Sequence, residues 1–82
     1  MKPFLLEILT PTKMIFSGNV TSLTARASDG DIGILADHAP LATVLGKGLV
    51  RYKFENGAEK KVENNEGFLI VKNNAATVLL RG

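Results

Sequence analysis

Short runs in which apolar and polar residues alternate, separated by Gly, Pro and Asn, make up most of the sequence. The clearest is LVRYKFE (49–55), where every second residue is apolar and charged residues lie between. This period of two places one face of a strand in a core and the other in water. No segment sustains the 3.6-residue period of an amphipathic helix. The pattern predicts an all-β domain, an antiparallel β-sandwich or flattened barrel.

The Gly, Pro and Asn residues that interrupt the pattern indicate where strands end and turns lie. Clear strands are predicted at 4–9, 49–55, 58–64, 67–72 and 76–81. Residues 13–28 are expected to give two strands broken at Ser17-Gly18, with a bulge near Thr21-Ser22. Asn56-Gly57 predicts a tight hairpin turn with two residues at positive φ. Asn73-Asn74 predicts the turn of a final hairpin.

Three predicted strands carry apolar residues on both faces. They are FLLEIL (4–9), GFLIV (67–71) and TVLL (77–80). A strand of a sandwich needs only one apolar face, so the second one requires an explanation. Either loops and neighbouring strands cover it, or part of the sheet is a docking surface for a partner protein. The two explanations are compatible, and the sequence leaves both open.

Length, composition and charge narrow the class of protein. The 82 residues, 45% hydrophobic and 22% charged, are expected to form a single domain, 1–82, too small for a large enclosed cavity. The net charge is +2, and the ten Lys and Arg are scattered along the chain. A nucleic-acid-binding domain would concentrate them on one stripe with aromatic residues between. We therefore expect no nucleic-acid partner.

Cysteine usage and apolar run length bear on the compartment. The chain has no cysteine, so it has no disulfide or thiolate zinc site and suits a reducing compartment. No apolar run approaches the ~20 residues of a membrane helix. The N-terminal stretch MKPFLLEIL is interrupted by Glu7, which favours a first strand over a signal peptide. Direct membrane insertion is not expected.

The segment SDGDIGILADHAPL (28–41) holds the only candidate chemistry. Asp29, Asp31 and Asp37 fall at positions 1, 3 and 9 of a calcium loop, but the closing glutamate and the flanking helices are missing. His38 has no nucleophile elbow or oxyanion-hole motif near it in sequence. GKG (46–48) lacks the spacing of a phosphate-binding loop and is expected to serve a turn. The sequence thus predicts no catalytic residue, no metal site and no cofactor.

Residues 28–41 also predict a loop of defined shape. Gly30 is expected at a hairpin tip, with the aspartates on either side of it in water. Three apolar residues that follow are expected in the core: Ile32, Ile34 and Leu35. Pro40 restricts the backbone after His38. The product is a stiff loop with an acidic tip and a histidine a few residues on.

The order of several short motifs carries a resemblance. Within residues 16–52, F-S-G is followed by G-x-x-G-I and then by H-A-P-L, and the likeness continues through GFLIVKNNAATVLL (67–80). In this order and spacing the chain resembles, over essentially its whole length, the N-terminal domain of the epsilon-subunit family of bacterial F-type ATP synthases. No single motif is specific, but the ordered combination is.

The resemblance implies a ten-stranded β-sandwich at the foot of a rotating central stalk. In that family one side packs against the gamma subunit and one end rests on the polar loops of the membrane-embedded c-ring. The domain couples ion-driven ring rotation to ATP synthesis and performs no bond chemistry itself. The implied location is peripheral, on the cytoplasmic face of the bacterial inner membrane.

The resemblance also assigns contact residues by matching motifs. The c-ring contacts it implies are Asp29, Gly30, Asp31 and His38. The gamma contacts it implies are Thr10, His38, Ala39, Pro40, Leu41 and Thr43. An acidic tip suits the c-ring loops, which usually carry an arginine in this family, because an ion pair at a rim fixes register.

Family members usually continue into a C-terminal pair of helices that can inhibit ATP hydrolysis and in some members bind ATP. This sequence stops at Arg81-Gly82, directly after the last predicted strand, so it is expected to be a fragment or a natural short form, without that helical pair. The alternative function is a stand-alone β-sandwich module that binds a peptide or a carbohydrate. A charged groove without a broad apolar face would favour that alternative.

Overall fold

The computed structural model describes residues 1–81 and contains nine strands in that range. Their bounds are β1 Phe4–Leu9, β2 Met14–Val20, β3 Ser22–Ala27, β4 Gly30–Ile34, β5 Leu41–Leu45, β6 Gly48–Lys53, β7 Glu59–Asn64, β8 Gly67–Lys72 and β9 Ala75–Leu80. No helix is present among these residues. The prediction of an all-β sandwich is confirmed, with nine strands where about ten were expected.

The strands form one curled sheet that folds into two layers. Its hydrogen-bonded order is β2-β1-β9-β8-β5-β3-β6-β7, with β4 added on β3. β5 and β3 are joined by a single residue pair, Ala27 with Leu45, and the sheet turns there. We call the layer β2-β1-β9-β8-β5 the five-stranded sheet and the layer β4-β3-β6-β7 the four-stranded sheet.

The core lies between the two sheets and takes alternate residues from each. The apolar residues of β8 and β9 that point inward are buried, as are those of β3 and β6. The largest fully buried side chains are Leu6, Ile8, Leu23, Ile34, Leu45, Leu69, Val20, Val50 and Val78. Each such side chain contributes about 1.5–3 kcal/mol by leaving water.

Three aromatic rings close the space between β2 at the edge of the five-stranded sheet and β6 in the opposite sheet. Phe16 packs on Tyr52 with ring centroids 4.8 Å apart and on Phe54 at 5.7 Å. Burial raises the pKa of the Tyr52 hydroxyl above its usual value. We call this group the aromatic seam, because it joins the two layers without backbone pairing.

The predicted break at Ser17-Gly18 is wrong, because β2 runs through both residues. The Phe16 ring lies over Gly18, where an added Cβ would be 3.1 Å from the ring carbon Cζ, so this glycine is covered and stays in the strand. The interruption lies at Thr21, whose N–H donates to the Lys53 carbonyl at 2.8 Å. The irregularity near Thr21 is thus a strand break rather than the predicted bulge.

Of the two predicted asparagine turns, the hairpin turn at Asn73-Asn74 is confirmed, and the turn at Asn56-Gly57 differs in its geometry. At Asn56-Gly57 only Gly57 has positive φ, 87°, and its N–H donates to the Phe54 carbonyl at 2.9 Å. This is a longer turn that ends in a glycine bulge. Asn73 and Asn74 instead both have positive φ, 52° and 57°, as a two-residue type I′ turn requires.

Three further expectations need correction. β1 and β9 pair in parallel, from Leu5–Ala75 to Leu9–Leu79, so the sheet is mixed. Leu35, expected in the core, is 50% exposed because β4 ends one residue earlier. GKG (46–48) does not reverse the chain, since β5 and β6 both run antiparallel to β3.

Candidate interaction surfaces

A row of apolar side chains crosses the outer face of the five-stranded sheet. The pairings Leu9–Met14, Leu9–Leu79, Leu79–Phe68 and Phe68–Val44 place one residue of each strand in line. Leu9 is half-buried, and the other four side chains are 38–56% exposed. We call these five residues the apolar row. Burial by neighbouring strands does not account for them, because they point away from the core.

The face becomes more polar away from this row. The next line of paired residues is Glu7, Thr77, Ile70 and Ala42. The line beyond it pairs Leu5 with Ala75 and Ala75 with Lys72. Ile70 and Leu5 are still exposed, at 37% and 40%. The apolar surface is therefore concentrated at one end of the sheet.

A groove of about 410 Å³ follows the apolar row at that end. Its walls are Thr10, Pro11, Val44, Glu66, Gly67, Phe68, Leu79, Leu80 and Arg81. Gly67 is buried, and an added Cβ would lie 2.3 Å from the Leu79 carbonyl oxygen. Arg81 and Glu66 form an exposed ion pair at the rim. The groove therefore has apolar walls and one balanced pair of charges.

The outer face of the four-stranded sheet is charged instead. Across β3, β6 and β7, Thr24 pairs with Arg51 and Arg51 with Lys61, all exposed. In the next line Lys53 pairs with Glu59. This face presents charges of both signs and no apolar row.

The acidic tip lies where the structure turns from β3 into β4. Gly30 has φ 135°, which favours glycine, and Asp29 and Asp31 are exposed on either side of it, as predicted. Asp31 approaches the Arg26 side chain at 3.8 Å. The tip is close to the end of β5 that holds the apolar row, since Ala27 pairs with Leu45.

The loop with the histidine leaves the other end of β4. Asp37 has φ 62°, and the His38 N–H donates to the Leu35 carbonyl at 3.2 Å. The His38 ring donates from Nδ1 to the Ala39 carbonyl at 2.7 Å and is half-buried. Ala39 and Pro40 are exposed.

The structure therefore separates His38 from the acidic tip, although both are predicted to contact the c-ring. At about 3.3 Å per residue, the five residues of β4 span about 16 Å between the acidic tip and the loop of His38. His38 and the tip do not form one patch. The four residues predicted for the c-ring do not come together.

The residues predicted for the gamma contact also differ in orientation. Thr10 lines the apolar groove. Leu41 and Thr43 lie on the half-buried side of β5, while Ala42 and Val44 between and after them face outward. Sequence reasoning singled out this strand and expected part of the sheet with two apolar faces on the gamma side, but it did not name Val44, Phe68 or Leu79. The signal that could have found these residues is the apolar character of both faces in the strands at 67–71 and 77–80.

Nothing in the described part of the chain resembles a metal centre or a membrane span. Among residues 1–81 no three His, Asp or Glu side chains gather as a metal site requires. The same residues contain no helix with the length and apolarity to cross a bilayer.

Comparison with other proteins finds relatives along almost the whole chain. It is 40% identical over 79 residues to the ATP synthase epsilon chain of Caldicellulosiruptor bescii, a match that covers 96% of this chain and 57% of the relative. It is 43% identical over 74 residues to that of Pelotomaculum thermopropionicum, covering 90% and 54%. The chain thus spans just over half the length of these curated relatives.

Two solved structures share the fold. A chain in the mitochondrial ATP synthase of Euglena gracilis, resolved with OSCP, F1 and c-ring, superposes with a TM-score of 0.92 at 21% identity, over 98% of this chain and 51% of that one. A chain in the central stalk and c-ring of the Tetrahymena thermophila mitochondrial ATP synthase gives 0.80 at 19% identity, over 95% and 63%. At these identities the likeness concerns the fold.

The family match is independent of these pairwise comparisons. The sequence model described as "ATP synthase, Delta/Epsilon chain, beta-sandwich domain" matches residues 3–82. The nine-stranded sandwich agrees with that description. The chain therefore belongs to the family of ATP synthase delta/epsilon chain β-sandwich domains.

Proposed function

We propose that this chain is the β-sandwich part of a rotor subunit in the central stalk of an F-type ATP synthase. It docks on the gamma subunit and on the polar loops of the c-ring, at the cytoplasmic face of the membrane. In this role it couples ring rotation to ATP synthesis in the catalytic head and carries no catalytic site. The observation that carries the proposal is the apolar row on the five-stranded sheet.

The apolar row suits the gamma contact because of its size and shape. Val44 and Phe68 are each more than half exposed, at 51% and 56%, and adjacent, and the groove beside them adds apolar wall. Contiguous apolar patches that stay exposed often mark sites where another protein binds. Burial against a partner gains about 25 cal/mol for each Å² of apolar surface covered. Thr10 on the groove is a member of the same contact.

The acidic tip suits the c-ring contact. Asp29 and Asp31 are exposed at the turn, and the tip lies at the end of the molecule toward the apolar row. Ion pairs at such a rim contribute about 0–1 kcal/mol each, so the tip sets register more than affinity. His38, Ala39, Pro40 and Leu41 lie at the opposite end, and the proposal places them in the gamma contact.

The test is binding of the purified chain to the gamma subunit of its own ATP synthase. Phe68→Glu puts a charge on the most exposed side chain of the apolar row and should weaken binding about 100-fold, the effect of losing an aromatic anchor. Thr24→Glu makes the same change of charge on the outer face of the four-stranded sheet and should leave affinity within about twofold. Thermal unfolding of both variants verifies that they are folded.

Two results would count against the proposal. One is a folded wild-type chain that does not bind gamma, and the other is equal binding by wild type and Phe68→Glu. A charged groove without a broad apolar face would favour the alternative of a stand-alone peptide- or carbohydrate-binding module. The groove beside the apolar row has mostly apolar walls, and a second groove of about 460 Å³ next to it is more polar, with Glu63, Glu66 and Arg81 in its lining. The broad apolar row therefore favours the docking role, because the alternative needs a charged groove without such a face.

A further inference from the structure

The loop of residues 35–40 is attached to two segments that are far from it in sequence. We call it the contact loop, since it carries His38, Ala39 and Pro40. It lies against the type I′ turn between β8 and β9 and against the residues that lead into β1. The hydrogen bonds that join these segments span 37 and 71 residues of sequence.

One side chain makes both of these connections. The Oδ1 atom of Asn74 accepts a hydrogen bond from the Asp37 N–H at 2.8 Å, and its Nδ2 donates to the Pro3 carbonyl at 3.3 Å. Its main-chain carbonyl accepts from the Leu5 N–H at 3.3 Å. A primary amide is suited to this position because it has an acceptor and two donors on one planar group. Asn74 thus connects the contact loop to the start of β1.

The partner of Asn74 in the loop is held in an uncommon backbone conformation. Asp37 has φ 62°, in the left-handed region that non-glycine residues rarely adopt. Such a residue persists only where its surroundings fix it. Its carboxylate also meets the Lys2 ammonium at 2.7 Å, but both side chains of that pair are more than 60% exposed, so water and salt weaken the pair. Asn74 is half-buried, whereas both residues of the ion pair are exposed, although its hydrogen bond to the Asp37 N–H lies at the surface.

We propose that Asn74 is the positioning residue of the contact loop. Its amide holds the Asp37 N–H and the Pro3 carbonyl together, and so fixes the direction in which His38 and Pro40 leave the sheet. Loop order is thereby coupled to the order of the N-terminal residues. The part of this inference that concerns binding rests on the proposed function, whereas the part that concerns loop order does not.

The turn itself supplies a matched control. Asn73 and Asn74 are neighbours with nearly the same positive φ, so glycine fits either site without backbone strain. Within residues 1–81 the Asn73 side chain makes no hydrogen bond, while the Asn74 side chain makes two. Asn74→Gly therefore removes the connection, and Asn73→Gly makes the same substitution without removing it.

Amide hydrogen exchange, followed residue by residue in the isolated chain, is the first measurement. In Asn74→Gly the Asp37 N–H should exchange at least about tenfold faster than in wild type, and the core amides of β8 should change no more than they do in Asn73→Gly. Asn74→Asp keeps an acceptor for the Asp37 N–H and loses the donor to Pro3, so its exchange should be intermediate. Unchanged Asp37 exchange in Asn74→Gly, or equal acceleration in Asn73→Gly, would overturn the proposal.

Binding to the gamma subunit is the second measurement. A loop that is no longer held has to be ordered on binding, so Asn74→Gly should lower the affinity about fivefold to tenfold relative to Asn73→Gly. Faster exchange with equal affinity would show that Asn74 does not position a contact and would refute that part. If the wild-type chain fails to bind gamma, the proposed function fails, and the exchange experiment still decides whether Asn74 holds the loop.

Discussion

The two outer faces of this sandwich differ although their inner faces are alike. Both sheets supply alternate apolar residues to one core. Outward, the five-stranded sheet presents the apolar row from Met14 to Val44, and the four-stranded sheet presents charged pairs such as Lys53 with Glu59. A sandwich requires only the inner faces to be apolar. The requirements of the fold therefore do not account for the difference.

Folding energetics support this reading of the difference. The side chains of the apolar row keep a large part of their surface in water, at 38–56% exposure for all but the half-buried Leu9, so they gain less by folding than the core side chains do. The exposed charges on the other face contribute about 0–1 kcal/mol per pair. Both outer faces therefore contribute less to the stability of the chain than the core does, so substitutions can separate residues that hold the fold from residues that present a surface.

The largest expected effect on stability comes from Gly67→Ala in the five-stranded sheet, and Gly33→Ala in the four-stranded sheet is its control. Gly67→Ala puts a Cβ 2.3 Å from the Leu79 carbonyl and forces β8 and β9 apart beneath the apolar row. We expect a loss of about 3 kcal/mol or more of unfolding free energy. Gly33→Ala, in β4 of the other sheet, meets nothing within 4 Å and should change stability by less than about 0.5 kcal/mol. Urea denaturation of both variants measures the contrast.

The result that contradicts this expectation is a Gly67→Ala variant as stable as Gly33→Ala. It would show that β8 and β9 separate at little cost in free energy, and that the backbone lining the groove deforms easily. The apolar row would then not be a rigid surface, and the comparison between the two faces would lose its structural basis.

Two phenylalanines give a smaller effect and a sharper contrast. Phe16→Ala removes the ring that packs on Tyr52 and Phe54 in the aromatic seam and should cost about 3 kcal/mol. Phe68→Ala, in the apolar row, removes a ring that is 56% exposed and should cost less than about 1 kcal/mol. Thermal or urea unfolding compares the same substitution at the two sites. A costly Phe68→Ala would mean that the row belongs to the fold rather than to a partner.

The seam also has a pH signature. Burial raises the pKa of Tyr52 above its usual value of 10.0, so the folded chain retains this proton when the unfolded chain loses it. The stabilisation is complete below about pH 10 and is lost as pH rises through the folded pKa. Stability should fall in that alkaline range more steeply in wild type than in Tyr52→Phe. Equal slopes in the two proteins would show that the hydroxyl is not desolvated.

Local patterns in the sequence predict much of the fold, because apolar or alternating runs bounded by Gly, Pro and Asn mark where strands begin and end. The segments at 4–9 and 67–72 are strands with the predicted bounds. The parallel pairing of β1 with β9 has no local signature, since it joins residues about 70 positions apart. The continuity of β2 through Gly18 depends on cover by the Phe16 ring, which is also a matter of packing.

The surfaces were predictable to a smaller extent. Two apolar faces on single strands indicated an exposed patch, but register decides which side chains line up, and Val44 became visible only through its pairing with Phe68. The family resemblance assigned Asp31 and His38 to one c-ring contact, and β4 separates them. The hydrogen bond from the Asp37 N–H to the Asn74 side chain joins segments 37 residues apart, and no short motif in the sequence indicates it.

The smallest expected effect on stability concerns the acidic tip. The side chain of Asp31 is 66% exposed and approaches Arg26 at 3.8 Å, so Asp31→Arg loses a weak pair and places two cations together. We expect less than about 1 kcal/mol of destabilisation, and less still for Asp29→Arg. In the assembled enzyme Asp31→Arg should impair coupling of proton or sodium flow to ATP synthesis while the isolated chain stays folded. Severe unfolding of Asp31→Arg would instead show that the aspartate is structural. The acidic tip would then help to hold the fold, as Phe16 does, rather than present a surface to a partner, as Phe68 does.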